Sequence, residues 1–247
     1  MSSVGSPILG VKRSLFRIHD PMREEADEAF RKIRGSVLAR DKFICRFCRM
    51  STQPTPERPG GYFTVHHIND DHHDSRMENL ATACPFCHQV FHAGMAARGN
   101  EPGIAIWLPQ IGQFELNRYC HVLFAFMEMA EDKDQKIRDL DLLSKKAETI
   151  YHALQDAKAD MKRIFGEHAP DLKKLAGCIA KLPEALYAAR GKALGGVRIL
   201  PIRDAYRTEI RFWAERHRRN LPLSTWETIL KNALDRMIRG GNEKGVA

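Results

Sequence analysis

Two pairs of cysteines carry the first chemical signal in the chain, Cys45-Arg46-Phe47-Cys48 and Cys84-Pro85-Phe86-Cys87. A Cys-x-x-Cys turn aims two sulfurs at one point, and two such turns supply the four thiolates of a tetrahedral zinc site. The segment between the pairs is long enough to hold a hairpin. Two redox dithiols, or core cysteines that happen to pair, are the competing readings. Four thiolates close a site and leave no position for substrate, so the ion would be structural. It would supply folding energy where the surrounding loops supply little core. The other two of the six cysteines, Cys120 and Cys178, fall on apolar helix faces and read as core residues.

Histidines make up a second constellation inside and beside the first. Between the cysteine pairs run Val65-His66-His67-Ile68-Asn69-Asp70 and then Glu78-Asn79-Leu80, and His88 and His92 follow Cys87. Residues four apart share a helix face, so His88 and His92 can hold one ion together. A histidine on a strand packed against that helix would add a third ligand. Adjacent strand residues point to opposite faces, so His66 and His67 cannot both enter one site unless the strand is distorted or ending there. His72 and His73, in the acidic loop Asp70–Asp74, read as solvated.

The elements that must position these groups follow from hydrophobic spacing. A helix is expected from Asp20, with Pro21 at its first position, to about Arg40. It carries Ala26, Ala29, Phe30, Ile33 and Val37 at three- and four-residue steps. Asp41–Met50 is a short extended piece around Cys45 and Cys48, and Gln53–Gly61, with three prolines, is a loop. Tyr62–Ile68 reads as a strand, and a helix from Pro85 to about Arg98 would carry the last two histidines. Further on come a brief strand at Ile104–Leu108, a helix over Phe114–Ala130 and a long amphipathic helix over Asp134–Phe165, with Gly166 as its C-cap. Shorter helices surround Leu172–Ile179 and Pro183–Ala189, and Gly195 and Gly196 make a turn. Val197–Ile202 is a strand or a buried loop. Helices close the chain at Asp204–Arg219 and Thr225–Arg239, the latter opened by a capping box at Ser224–Glu227. The expected class is α+β: a small zinc-stapled hairpin-and-helix module at 42–98, preceded by a helical segment at 1–41 and followed by a mainly helical domain at 99–247.

Composition bounds the function. The chain has 247 residues, 43% apolar and 28% charged, which suits a globular protein and excludes wholesale disorder. The longest apolar stretch, around Val122–Met127, is far short of the roughly 18–20 residues that span a bilayer. The N-terminus lacks the apolar run of a secretory signal, so six cysteines argue for a reducing, cytoplasmic compartment. The net charge of +8 is uneven. Residues 1–50 hold 11 basic and 6 acidic side chains and 186–219 hold 9 and 3, whereas 51–92 hold 2 and 5. Two basic segments thus flank an acidic, histidine-rich centre. Arg203, Arg207 and Arg211 share one helical face, as a phosphate-binding stripe or a solvated face.

The residues from Lys42 to Gly94 resemble the HNH, or ββα-metal, nuclease motif, in which a β-hairpin and a helix carry a Cys-x-x-Cys pair at each end. The resemblance implies that His67 is the general base activating water. It makes His66, His88 and His92 the ligands of a catalytic divalent ion (Mg²⁺, Mn²⁺, Ni²⁺ or Zn²⁺). Asn79 would tether the loop and orient the base. The ion would steady charge on the scissile phosphate while the imidazole takes the proton.

A second resemblance covers more of the chain. Phe47-Cys48, Asn79–Cys84, Ile104–Pro109 (IAIWLP), Glu115–Asn117, Tyr119–Phe124, Val197–Pro201 and Ile210–Ala214 are similar, in the same order, to the DotN (IcmJ) family of Dot/Icm type IVB secretion systems. That family implies an adaptor with an HNH-like zinc module. Its members associate with a coupling ATPase at the cytoplasmic face of the inner membrane, where substrates are received. The histidine set, complete in this chain, keeps a second reading open, a DNA-cutting HNH endonuclease with DNA as its partner.

Overall fold

In the computed structural model the described residues are 9–11, 23–69, 71, 73–96, 102–131, 138–220 and the isolated positions 228, 231, 232 and 235. Asp20 and Pro21, Asp70 and His72, the start of the long helix at Asp134, and the capping box at Ser224–Glu227 with most of the helix after it lie outside them.

Helix α1 (Arg23–Arg40) leads into the first cysteine turn. Its end is fastened to the hairpin by Asp41, whose carboxylate accepts from the Thr82 backbone N–H at 2.9 Å and from Arg40 Nε at 3.0 Å. Burial alone would raise the Asp41 pKa, but these hydrogen bonds and the Arg40 charge hold it below the usual aspartate value. Strands β1 (Thr64–His67) and β2 (Leu80–Ala83) pair antiparallel, with Thr64 opposite Ala83 and His67 opposite Leu80. Helix α2 (Pro85–Phe91) follows at once, with Pro85 in the first turn where a missing N–H costs nothing.

The single helix expected from Pro85 to Arg98 is instead two, because the chain kinks at His92 (φ −122°, ψ 37°) before α3 (Ala93–Ala96). The backbone at the kink is engaged from outside the helix. Gly10 donates its N–H to the Val90 carbonyl at 3.0 Å and crosses so close that a Cβ there would lie 1.8 Å from the Phe91 oxygen. Only glycine fits that crossing.

Beyond this module, β3 (Gly103–Trp107) pairs antiparallel with β4 (Val197–Pro201), Ala105 facing Ile199. The Val197 segment is therefore a strand and not a buried loop. Its turn needs Gly196, where a Cβ would lie 2.5 Å from the Trp107 ring. Both outer edges of this two-stranded sheet are covered, which removes a template for aggregation. Ala105 donates to the Pro170 carbonyl at 3.0 Å. On the other edge the Gln113 amide acts as a strand, accepting from Ile199 N at 2.7 Å and donating to Ile199 O at 2.8 Å.

Helix α4 (Gln113–Glu131) is buried around most of its circumference, including Leu116, Leu123, Phe124 and Phe126. With apolar residues on most sides, this helix belongs in the interior, and α4 packs against α2, α5 (Arg138–Asp156), β4 and α9 (Arg207–Asn220). On α5 the buried Leu140, Leu143, Ala147, Ile150 and Leu154 form the expected stripe. The long helix does not continue to Phe165. It breaks at Ala157, whose carbonyl accepts from Trp107 N of β3 at 3.4 Å, and restarts as α6 (Lys158–Phe165). The break swings the fully buried Met161 onto a second apolar cluster with Leu172, Val90 and Ile199. Gly166 ends α6 at φ 99°, the backbone of the expected C-cap. Helices α7 (Leu172–Ala180) and α8 (Glu184–Ala193) then lead to β4, and a 3-10 turn at Arg203–Tyr206 opens α9.

The fold is a mixed α+β one, mostly helical, with two small sheets among the described residues. One buried apolar cluster runs from Val37 and Leu38 through the four module cysteines and Phe86 to α4, α5 and Trp213 of α9. Cys120 is buried, and burial pushes its thiol up, but Cys178 is exposed and is not the core residue expected.

Candidate metal centre

Cys45 and Cys48 sit on a turn braced by two hydrogen bonds, Cys45 N to Met50 O at 2.8 Å and Arg49 N to Cys45 O at 3.1 Å. Arg49 closes the turn at φ 68°. Cys84 follows β2 directly as the N-cap of α2 and Cys87 lies in the first turn of α2, so the strand-to-helix junction aims the second pair. All four side chains are fully buried, and their sulfurs lie within 4.8 Å of one another. Cys48 and Cys84 approach to 3.6 Å, far from the roughly 2.05 Å of a disulfide and close to the roughly 3.8 Å between sulfurs on a tetrahedral zinc. Burial pushes the Cys84 and Cys87 thiols up. The Cys45 thiol faces the same burial, yet hydrogen bonds from the other three hold it well below its usual range. Four soft donors in one closed, dry cluster fit a structural Zn²⁺.

Three of the predicted histidines also come together. His66 on β1, His88 on α2 and His92 at the kink place their ring nitrogens within 4.8 Å of one another. His66 and His92 are buried, and His88 is partly exposed. The His88 and His92 rings lie 4.4 Å apart even though His92 has left the helix. Phe91 stacks on His66 at 4.1 Å, and Phe47, from the first cysteine turn, meets it edge-on at 6.0 Å. Phe47 therefore stands between the two centres.

His67 is elsewhere. The strand is regular, so His67 points to the opposite face, where it is 3% exposed with its ring 5.0 Å from Phe30 of α1. Asn79 ties down the loop ahead of β2. Its amide donates to Asn69 Oδ1 and to the Asp74 carbonyl, each at 2.8 Å, and its oxygen accepts from Asn69 N at 3.0 Å.

In the arginine row Arg207 and Arg211 are exposed, opposite the buried Tyr206, Ile210 and Trp213, while Arg203 is mostly buried, and all three pair with glutamates of α4. Arg203 reaches Glu128 at 3.1 Å and Glu131 at 2.6 Å, Arg211 reaches Glu128 at 3.0 Å, and Arg207 pairs with Glu131. Burial opposes the Glu131 charge, but Arg203 and Arg207 hold its carboxyl below the usual range. The row thus clamps α9 and its opening turn to α4.

Sequence reasoning assigned no role at the cysteines to Asn117 and His121, which the structure brings to them, or to Trp213, which packs against His121. Asn117 donates to Cys87 Sγ, and His121 Nε2 lies against Cys84 Sγ, each at 3.3 Å. Trp213 donates its indole N–H to the Gly61 carbonyl at 2.9 Å and packs edge-on to His121. The available signal was Asn117 and His121 four apart, each beside large apolar residues of the same helix.

Among the described residues no helix is long and apolar enough to cross a membrane. No protein-family profile matches the chain. The chain is a homologue of the type 4 apparatus protein DotN of Legionella pneumophila subsp. pneumophila. The two are 28% identical over 189 residues, which cover 76% of this chain and 80% of that protein.

Proposed function

We propose that this DotN homologue is a zinc-stapled component of a type IVB secretion or conjugation coupling complex, acting as an adaptor that recruits substrates to a coupling ATPase. The observation that carries the reading is the similarity to DotN, which extends far beyond the cysteine module into the helical body. Cys45, Cys48, Cys84 and Cys87 would hold the zinc, whose part is to fix the turns around it. On this reading residues 42–98 are the module, 99–247 the body that seats it, and attachment to the cytoplasmic face of the inner membrane is through protein contacts. Stable co-purification of the full chain with a coupling ATPase of its own host is the expected result. A chain that remains alone in the presence of every secretion protein of that host would refute the adaptor.

A second reading, the HNH endonuclease, is favoured by the convergence of His66, His88 and His92. A divalent ion bound there would act as a Lewis acid on a phosphodiester. The base is the difficulty, since His67 must reach water and lies 3% exposed against α1. We therefore expect the intact chain to leave supercoiled plasmid uncut with Mg²⁺, Mn²⁺, Ni²⁺ or Zn²⁺, alongside an equally inert His67→Ala variant. Metal-dependent nicking that disappears in His67→Ala would establish the enzyme instead.

A further inference from the structure

We propose that Asn117 and His121 on α4 are outer-sphere donors to the cysteine centre, making metal occupancy and the seating of the helical body a single event. The inference rests on the zinc reading of the four cysteines.

One helical turn separates Asn117 from His121, so both project from the same face of α4. That face meets the second cysteine pair with one donor for each sulfur. Asn117 Nδ2 lies 3.3 Å from Cys87 Sγ, and His121 Nε2 lies 3.3 Å from Cys84 Sγ. Four thiolates around one Zn²⁺ leave a net charge of about −2, here in a cluster with no exposed surface. Buried charge is tolerated only where donors offset it, and N–H groups aimed at the sulfurs do this. The orientation of both residues is set from behind. The imidazole of His121 is stacked on Phe86 at 4.2 Å. Asn117 is fully buried and every amide hydrogen is used, the second going to Phe86 O at 3.0 Å.

The Asn117 arm continues into the body. Gln113 donates to Asn117 Oδ1 at 2.9 Å and, with its other hydrogen, to Ile199 O, while accepting from Ile199 N. A closed chain of hydrogen bonds thus runs from Cys87 through Asn117 and Gln113 to β4. None of these partners belongs to the module that holds the cysteines. Neutral packing between a zinc module and a helix would need no polar groups at that contact.

The test uses the full chain with Co²⁺ in place of zinc, because sulfur-to-cobalt charge transfer reports the electron density on the sulfurs. Asn117→Asp keeps the shape and the acceptor for Gln113 but turns a donor into a repelling carboxylate. His121→Phe keeps the stack without the donor, and His121→Gln restores a donor. We expect Asn117→Asp and His121→Phe to shift the charge-transfer band and to release zinc to a chromogenic chelator about 10- to 100-fold faster. His121→Gln should recover most of the loss. Leu116→Ala, a cavity on the same helix that keeps both sulfur donors, should lower stability with the band unmoved. Should Asn117→Asp not fold, the two His121 variants decide. Normal loading of the wild type with unchanged band and release in the donor variants overturns this inference alone. A wild-type chain that takes up no cobalt overturns the zinc reading and this inference with it.

Discussion

Removing the ion from the cysteine centre is expected to unfold the body of the protein as well as the module, and Cys84→Ser is expected to do the same. Cys84 is fully buried, shares its surroundings with the sulfurs of Cys45, Cys48 and Cys87, and faces His121 of α4. Structural zinc sites contribute roughly 10–16 kcal/mol in small peptides, against a total stability of about 5–15 kcal/mol for a typical domain. The loss is therefore as large as the whole stability of a typical domain. The cysteines also lie in the same buried cluster as Leu38, Leu116 and Trp213, so no boundary confines the damage. Circular dichroism during titration with a strong chelator, followed by a thermal melt, makes the measurement. Loss of helical signal with loss of one metal equivalent is expected, whereas His88→Ala should melt near the wild-type temperature. A metal-free chain with an unchanged cooperative melt would show the ion to be dispensable.

The second large effect is expected at Trp213. This side chain is 3% exposed, packs edge-on to Phe63, Phe86 and His121, and donates to the Gly61 carbonyl. It joins α9 to the loop ahead of β1 and to the helix that follows Cys84. Trp213→Ala leaves a cavity at that junction and removes one of the two donors to the Gly61 oxygen, the Thr52 hydroxyl at 3.1 Å being the other. The expected cost is about 3–5 kcal/mol, a fall in Tm of roughly 6–20 °C for a chain of this size. Trp213→Phe, which keeps an aromatic ring but loses the donor, should cost less. Urea titration followed by circular dichroism compares the two. A cost below about 1 kcal/mol for the alanine variant would mean that α9 is not seated on the module at all.

Much of the site was legible in the residues because metal chemistry is local. Each cysteine pair is brought together by its own turn, and the period-two rule for strands already separated His66 from His67. The amphipathic stripe of α5 and the C-cap at Gly166 were equally readable, since both depend on neighbours within a few positions. Where reading failed, a distant backbone had intervened. The break at Ala157 reflects a hydrogen bond from Trp107, and the kink at His92 sits where Gly10 passes over α2. The partners of the arginine row were not legible, because Glu128 and Glu131 stand more than 70 residues earlier on another helix.

By itself, then, the amino-acid sequence determined that four cysteines can close on one ion, that three histidines can share a second site, and which stretches form helices. The tertiary structure alone decided what surrounds those groups. It paired β3 with a strand near the far end of the chain and laid α4 across the cysteines with Asn117 and His121 facing the sulfurs. It also paired the arginine row with two glutamates of α4 and covered His67 with α1. The physical reason is the range of the forces involved. Turn geometry and side-chain periodicity act over a few residues, whereas burial and the satisfaction of buried polar groups depend on whichever segments the whole fold brings together.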